Sequence, residues 1–278
     1  DDDVTDAPSK GNQEGIFGFG TTGSVTAVSN LVSNAGVVAT DTAAVGTARS
    51  GSAATQYGGD KGIFGFGDDG GNNNNTNLVS NTGVVASDQA ATTGTARYTV
   101  SACSYGDDKG IFGFGSGAPY TGITNLISNA GVVASDTAAV GTARGYLAAC
   151  EYGTDTAIFG FGTTGSDVGM TNLVTNVGVV GTDVTAVGTA RRNIAACGYG
   201  YDKGIFGFGT TGSRTAVTNL VSNTGVVATD VTGVGTARQA LAATQYGGDK
   251  GIFGFGNDGS NVGMTNLVSN AGVVATDV

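Results

Sequence analysis

The sequence predicts an all-β fold, a six-bladed β-propeller with four antiparallel strands in each blade of about 47 residues. Three observations lead there. A strand-like motif, KGIFGFG, stands at residues 61–67, 109–115, 203–209 and 250–256, with the variants GIFGFG at 15–20 and AIFGFG at 157–162. Its isoleucines, Ile16, Ile63, Ile111, Ile158, Ile205 and Ile252, follow one another at 47, 48, 47, 47 and 47 residues. Six periods make 282 against 278 residues, nearly a whole number of units, and the last unit is as regular as the inner ones. A solenoid needs polar end caps, whereas blades packed in a ring need none and leave only short edges.

The units run from about 1–49, 50–97, 98–144, 145–191, 192–238 and 239–278, a single propeller over the whole chain. Each opens on a run of small residues such as YLAACEYG at 146–153, the first strand. The motif follows, its Ile and Phe residues being β formers separated by glycine. A polar loop leads to a third segment, TNLVSNTGVV at 218–227, whose Asn marker falls 14 residues after each isoleucine. A Thr- and Ala-rich return ends in GTAR, at Arg49, Arg97, Arg144, Arg191 and Arg238. In the last copy the four strands are expected at 240–246, 250–255, 265–269 and 271–276. No segment carries a sustained 3.6-residue apolar period with helix caps. The second strand is expected to be buried on both faces, so Phe17, Phe64, Phe112, Phe159, Phe206 and Phe253 repeat because every blade must fit the next. Its glycines allow close backbone approach. The opening stretch DDDVTDAPSKGNQE fits the repeat badly, with Asp6, Ala7 and Pro8 where the second unit has Ala53, Ala54 and Thr55. The first blade's inner strand is therefore expected to be degenerate or supplied from elsewhere.

Composition narrows the function classes. Glycine reaches 51 residues without a three-residue period and proline only 2, which excludes collagen. A net charge of −10 without a basic cluster speaks against nucleic acid, and no run of 18 apolar residues suggests membrane insertion. Histidine is absent, which removes the usual general base and the imidazole ligands of copper and zinc sites.

The segment TARQALAATQYGGDKGIFGFGNDGSNVGMTNL, residues 236–267, resembles the kelch repeat: an Arg opening a small-residue strand, an aromatic strand ending in glycine, a loop and a third strand. Gly-Phe-Gly replaces the kelch double glycine, and the chain has no Trp. The resemblance implies the propeller fold. The wording of IFGFG and TNLVSNTGVV also resembles repeat arrays in predicted structural proteins of marine bacteriophages.

The candidate groups follow from what repeats and what does not. Arg49, Arg97, Arg144, Arg191 and Arg238 form either a basic ring at a channel mouth, able to hold an anion, or, as repetition favours, ties from blade to blade. Asp41, Asp88, Asp136, Asp183, Asp230 and Asp277 occur in all six units and accept local backbone bonds or, alternatively, coordinate calcium. Otherwise no cofactor or metal is expected. Cys103, Cys150 and Cys197 alternate with Thr55 and Thr244, which reads as small and buried rather than as a metal clasp.

The framework stops repeating between the motif and the Asn marker, at 21–28, 68–75, 116–123, 163–170, 210–217 and 257–264. Loops on a rigid scaffold concentrate binding residues. Asn72, Asn73, Asn74, Asn75, Tyr120, Asp167, Arg214 and Asn261 are accordingly the candidate contacts to a glycan or protein. The expectation is a non-enzymatic binding or structural module, extracellular or on a virion surface, partnered by glycan or by other subunits of a particle. The alternatives are a carbohydrate-active enzyme, which would need a carboxylate pair at the channel mouth, and a self-assembling filament subunit.

Overall fold

The structure, a computed structural model, describes residues 13–90, 94–185 and 187–278. Among them there is no helix; 17 strands form six antiparallel sheets in chain order. The first sheet pairs β1 (Gly15–Thr21) with β2 (Val25–Val32). The second holds β3 (Ala53–Tyr57), β4 (Lys61–Asp68) and β5 (Asn72–Val79). The third holds β6 (Ser101–Tyr105), β7 (Lys109–Gly113) and β8 (Thr124–Ile127). The fourth holds β9 (Ala148–Tyr152), β10 (Thr156–Gly160) and β11 (Thr171–Val174). The fifth holds β12 (Ala195–Tyr199), β13 (Lys203–Gly207) and β14 (Thr218–Val221). The sixth holds β15 (Ala242–Tyr246), β16 (Lys250–Gly254) and β17 (Thr265–Val268). The motif strand is always the middle one where three are present.

The expected fourth strand is not a strand. It survives as single bridges, Val32 to Val38, Val79 to Val85, Ile127 to Val133, and so on to Val268 with Val274. The physical reason lies in the Asn marker. Asn77 Nδ2 donates to the Ala86 carbonyl (3.0 Å) and to Asp88 Oδ1 (2.8 Å), and the other five copies make the same pair of bonds. A side chain thus takes over the pairing that a backbone ladder would have made. The misfitting residues Asp6, Ala7 and Pro8 lie outside the described residues.

The core sits between sheets. Phe112, Phe159, Phe206 and Phe253 are fully buried, and each ring lies over a glycine of the preceding middle strand. A Cβ added at Gly113 would stand 2.7 Å from the Phe159 ring, so no larger residue fits. The same contact places Phe64 over Gly18, and Phe17 over Gly254 of the sixth sheet. A second linkage repeats likewise: the amide of Gly58 donates to Asp108 O, Gly106 to Asp155 O, Gly153 to Asp202 O and Gly200 to Asp249 O. Gly247 then donates to Gln13 O at 2.7 Å. The Phe-over-Gly contact and the turn hydrogen bond thus also run from the sixth sheet to the first.

The second Phe of the motif departs from strand geometry. Phe19, Phe66, Phe114, Phe161, Phe208 and Phe255 all have φ between 61° and 63°, a left-handed conformation costly for a bulky residue. Each ring meets the first Phe of a neighbouring sheet at 5.0–5.3 Å between centroids, Phe114 against Phe159 and Phe255 against Phe17. Packing that glycine could not supply offsets the strain.

Candidate binding site

The repeated arginines are not presented to solvent. All five are fully buried between sheets, which corrects the alternative of an anion-holding basic ring. Arg144 is representative: Nε donates to Phe161 O (2.9 Å), Nη1 to Thr142 O (3.1 Å) and Nη2 to Asn172 Oδ1 (2.7 Å). Its guanidinium lies 4.3 Å from the centroid of Phe114 in the preceding sheet. Burial pushes Arg97, Arg144 and Arg191 down to about 10, which leaves them charged at neutral pH.

The repeated aspartates close the same joint. Asp183 accepts from the Thr142 amide and hydroxyl, 41 residues earlier, and lies 3.8 Å from Arg144 Nη1. Burial by itself would raise the carboxyls of Asp88, Asp136, Asp183, Asp230 and Asp277. Hydrogen bonds from Thr and Asn, with the arginine charge, outweigh it and hold them below the usual carboxylate value. These oxygens are committed to donors, and among the described residues no three His, Cys, Asp or Glu side chains stand together as a metal set. Asp68 and Asp69 likewise accept from their own loop, Gly70 N at 3.0 Å and Asn73 Nδ2 at 2.8 Å. Cys103, Cys150 and Cys197 are buried, unpaired thiols. Burial pushes Cys197 up to about 12 and the other two well above the ordinary thiol value.

The variable residues gather differently. Antiparallel pairing puts the turns after the first and third strands at one end of each sheet, where Asn129 Nδ2 bonds Asp108 Oδ2 at 3.0 Å. The variable loops leave the opposite end. There short bridges continue the pairing in rows: Tyr98–Ser116–Tyr120, Gly145–Thr163–Asp167, Arg192–Thr210–Arg214 and Gln239–Asn257–Asn261. In the second sheet the row is Ser50–Asp68–Asn72. Asn72, Tyr120, Asp167, Arg214 and Asn261 therefore hold equivalent positions in five successive units.

Each of the last four reaches toward the next unit. The Tyr120 ring lies against Gly145, where an added Cβ would be 2.8 Å away. Asp167 pairs with Arg192 at 2.6 Å, Arg214 donates to Asn257 O (3.0 Å) and Oδ1 (2.8 Å), and Asn261 Nδ2 donates to Thr21 O (3.3 Å). The result is a polar belt running from unit to unit. Arg214 and Asn261 are exposed, and Tyr120 and Asp167 are half-buried.

Three candidates turn inward. Asn73 is buried against Asp69, Asn74 Nδ2 bonds Gly94 O (2.8 Å), and the Asn75 amide bonds Asn73 Oδ1 (2.6 Å), so these three, which lie in β5 rather than in a loop, fix the start of that strand. Conversely, Tyr98, Tyr146 and Arg192 escaped the sequence reading because they follow GTAR rather than lying in the variable loops. Tyr146 stands beside Tyr98 and Tyr120, with Arg192 near, and burial raises its hydroxyl above the usual tyrosine value. The available signal was the change of residue type just after each GTAR: Ser50, Tyr98, Gly145, Arg192 and Gln239.

No protein-family model matches the chain, and comparison with curated proteins gives no match.

Proposed function

We propose that the chain is a six-bladed, kelch-like β-propeller that acts as a non-enzymatic binding or structural module, outside the cell or on a virion. The contacts of Phe17 with Gly254 and of Gly247 with Gln13 support ring closure, because they repeat at the ends what links the inner sheets. The observation that carries the binding role is the belt: five equivalent, non-repeating positions on one end of a scaffold that otherwise repeats. Its half-buried tyrosines, Tyr98, Tyr120 and Tyr146, beside Arg192 and Asp167, suit a glycan, whose ring faces pack on aromatic carbon while its hydroxyls pair with charged and amide groups. A glycan-array and whole-cell binding screen, run with calcium and with chelator, tests this. Saturable binding lost when 68–75 and 116–123 are exchanged for TTGSVTAV supports the reading. An absence of binding under both conditions overturns it.

A second reading, a subunit that stacks end to end, draws on the opposite end. Val37, Val84, Val132, Val179, Val226 and Val273 stand 59–66% exposed there, one per unit. Six apolar side chains on one rim offer a self-complementary face. Concentration-dependent association, abolished by Val→Ser at these positions, would favour it.

A further inference from the structure

The residue after each repeated arginine changes from unit to unit: Ser50, Tyr98, Gly145, Arg192 and Gln239. The one after that is tied across units by backbone bonds, Thr99 N to Gly51 O (2.8 Å), Asn193 N to Tyr146 O (2.9 Å) and Ala240 N to Asn193 O (2.9 Å). Side chains at these two positions therefore stand on a rigid floor at the belt end. Three tyrosines converge there on the third and fourth units. The Tyr98 and Tyr146 hydroxyls pair with each other, with Tyr120 beside them. The Tyr120 ring lies against Gly145, the one residue of its row that has no side chain.

Two features of this cluster are not explained by packing. Thr99 is only 9% exposed, and among the described residues its Oγ1 has no hydrogen-bond partner. That oxygen and the edge of the Tyr120 ring are aimed at the same point over Gly145, each 2.8 Å from where a Cβ would stand. An unmet hydroxyl at such depth costs about 1–3 kcal/mol. The repeat does not require it, since the equivalent positions hold Gly51, Tyr146, Asn193 and Ala240. The second feature is the pair of Arg192 with Asp167, whose side chains remain 37% and 16% exposed at 2.6 Å separation. Among the described residues this is the one side-chain bond either makes, so the pair keeps several donors and a carboxylate oxygen for a ligand.

We propose, resting on the glycan reading above, that this cluster is a primary subsite for an uncharged pyranose. The sugar face packs on tyrosine carbon. Two neighbouring hydroxyls answer the ion pair, one accepting from Arg192 and one donating to Asp167. A further hydroxyl reaches Thr99 Oγ1 as the Tyr120 ring turns off Gly145 and onto the sugar. The sugar is uncharged because Asp167 already balances Arg192. A carboxylate or sulfate would have to displace Asp167 while entering the field of a chain of net charge −10.

The probes are galactose- and glucose-terminated oligosaccharides and their sialylated and sulfated counterparts, titrated into the whole protein. Calorimetry and tyrosine fluorescence, which no Trp masks, report binding. A neutral oligosaccharide should bind saturably, and its acidic counterparts at least about tenfold more weakly. Thr99→Val keeps the shape and removes the unmet hydroxyl, so Tm should hold or rise while neutral-glycan binding weakens about three- to tenfold. A purely structural Thr99 would leave binding unmoved. Arg192→Gln should weaken the neutral glycan by a similar factor. Acidic glycans binding as tightly as neutral ones, or neutral binding indifferent to both substitutions, would overturn the subsite and leave the glycan reading standing. No binding of either kind up to about 10 mM would sink both.

Discussion

Replacing Arg144 by alanine should be among the most damaging single changes in the chain. The side chain is fully buried and donates to Phe161 O, Thr142 O and Asn172 Oδ1. Phe161 and Asn172 are themselves fully buried, so their oxygens lose a charged donor and gain no water. Two buried acceptors left unmatched cost about 1–3 kcal/mol each. The guanidinium face on Phe114 adds about 1 kcal/mol. The sum, about 3–7 kcal/mol, overlaps the roughly 3–5 kcal/mol that breaking a buried ion pair costs. Arg144→Lys should recover little, because an ammonium cannot make three divergent planar bonds and stack at once. The internal control is Arg214→Ala, an exposed side chain bonded to Asn257, whose loss should stay within about 1 kcal/mol. Urea unfolding followed by circular dichroism reads both. A loss below about 1 kcal/mol for Arg144→Ala, or equal losses at the two positions, would refute the reasoning.

Further outcomes follow from the same contacts. The lowered carboxyls of Asp88, Asp136, Asp183, Asp230 and Asp277 bind protons less readily folded than unfolded, so their contribution is complete above the unfolded value near pH 4 and is lost as pH falls through the folded values. Tm against pH should be level near neutrality and fall below about pH 4, and Asp183→Asn should start lower but lose less on acidification. Gly113→Ala, whose Cβ would meet the Phe159 ring at 2.7 Å, should cost about 1–3 kcal/mol in urea unfolding. Phe161→Gly should be less destabilising than Phe161→Ala by about 1 kcal/mol, because glycine adopts φ 63° without strain. Cys150, buried with its thiol held protonated, should react with an aromatic disulfide reagent at pH 8 only after urea is added.

The period and the packing of the first Phe between neighbouring units were legible because they are written in residue type at fixed spacing, whereas the glycine that each ring covers came from the structure. Repetition likewise marked the arginines, although the acceptor each finds includes an Asn side chain 28 residues further on, as Asn172 is for Arg144, which no local pattern links to it. The fourth strand misled because GVV has β-forming residues, while the competing bonds come from an Asn side chain on the neighbouring strand. The left-handed second Phe was invisible: propensity argues against φ near 62° for a bulky ring, and the packing that offsets it belongs to the neighbouring sheets. The variable segments stood out as departures from the period, although 25–28 and 72–75 of them lie in strands β2 and β5. That Asn72, Tyr120, Asp167, Arg214 and Asn261 share one register position, and that Tyr98 and Arg192 join them, required the bridges of the folded chain.

The central claim, that six sheets close on themselves and so bring the variable loops into one belt, is tested most directly by a distance between the ends. With Cys103, Cys150 and Cys197 replaced by Thr, the residue already used at 55 and 244, spin labels at Thr21 and Asn261 can be measured by pulsed electron resonance. Asn261 Nδ2 lies 3.3 Å from Thr21 O, so the closed arrangement predicts a single separation below about 20 Å, allowing for the label arms. An open stack of six sheets about 10 Å apart would separate them by roughly 50 Å, and a population at that distance would contradict the account.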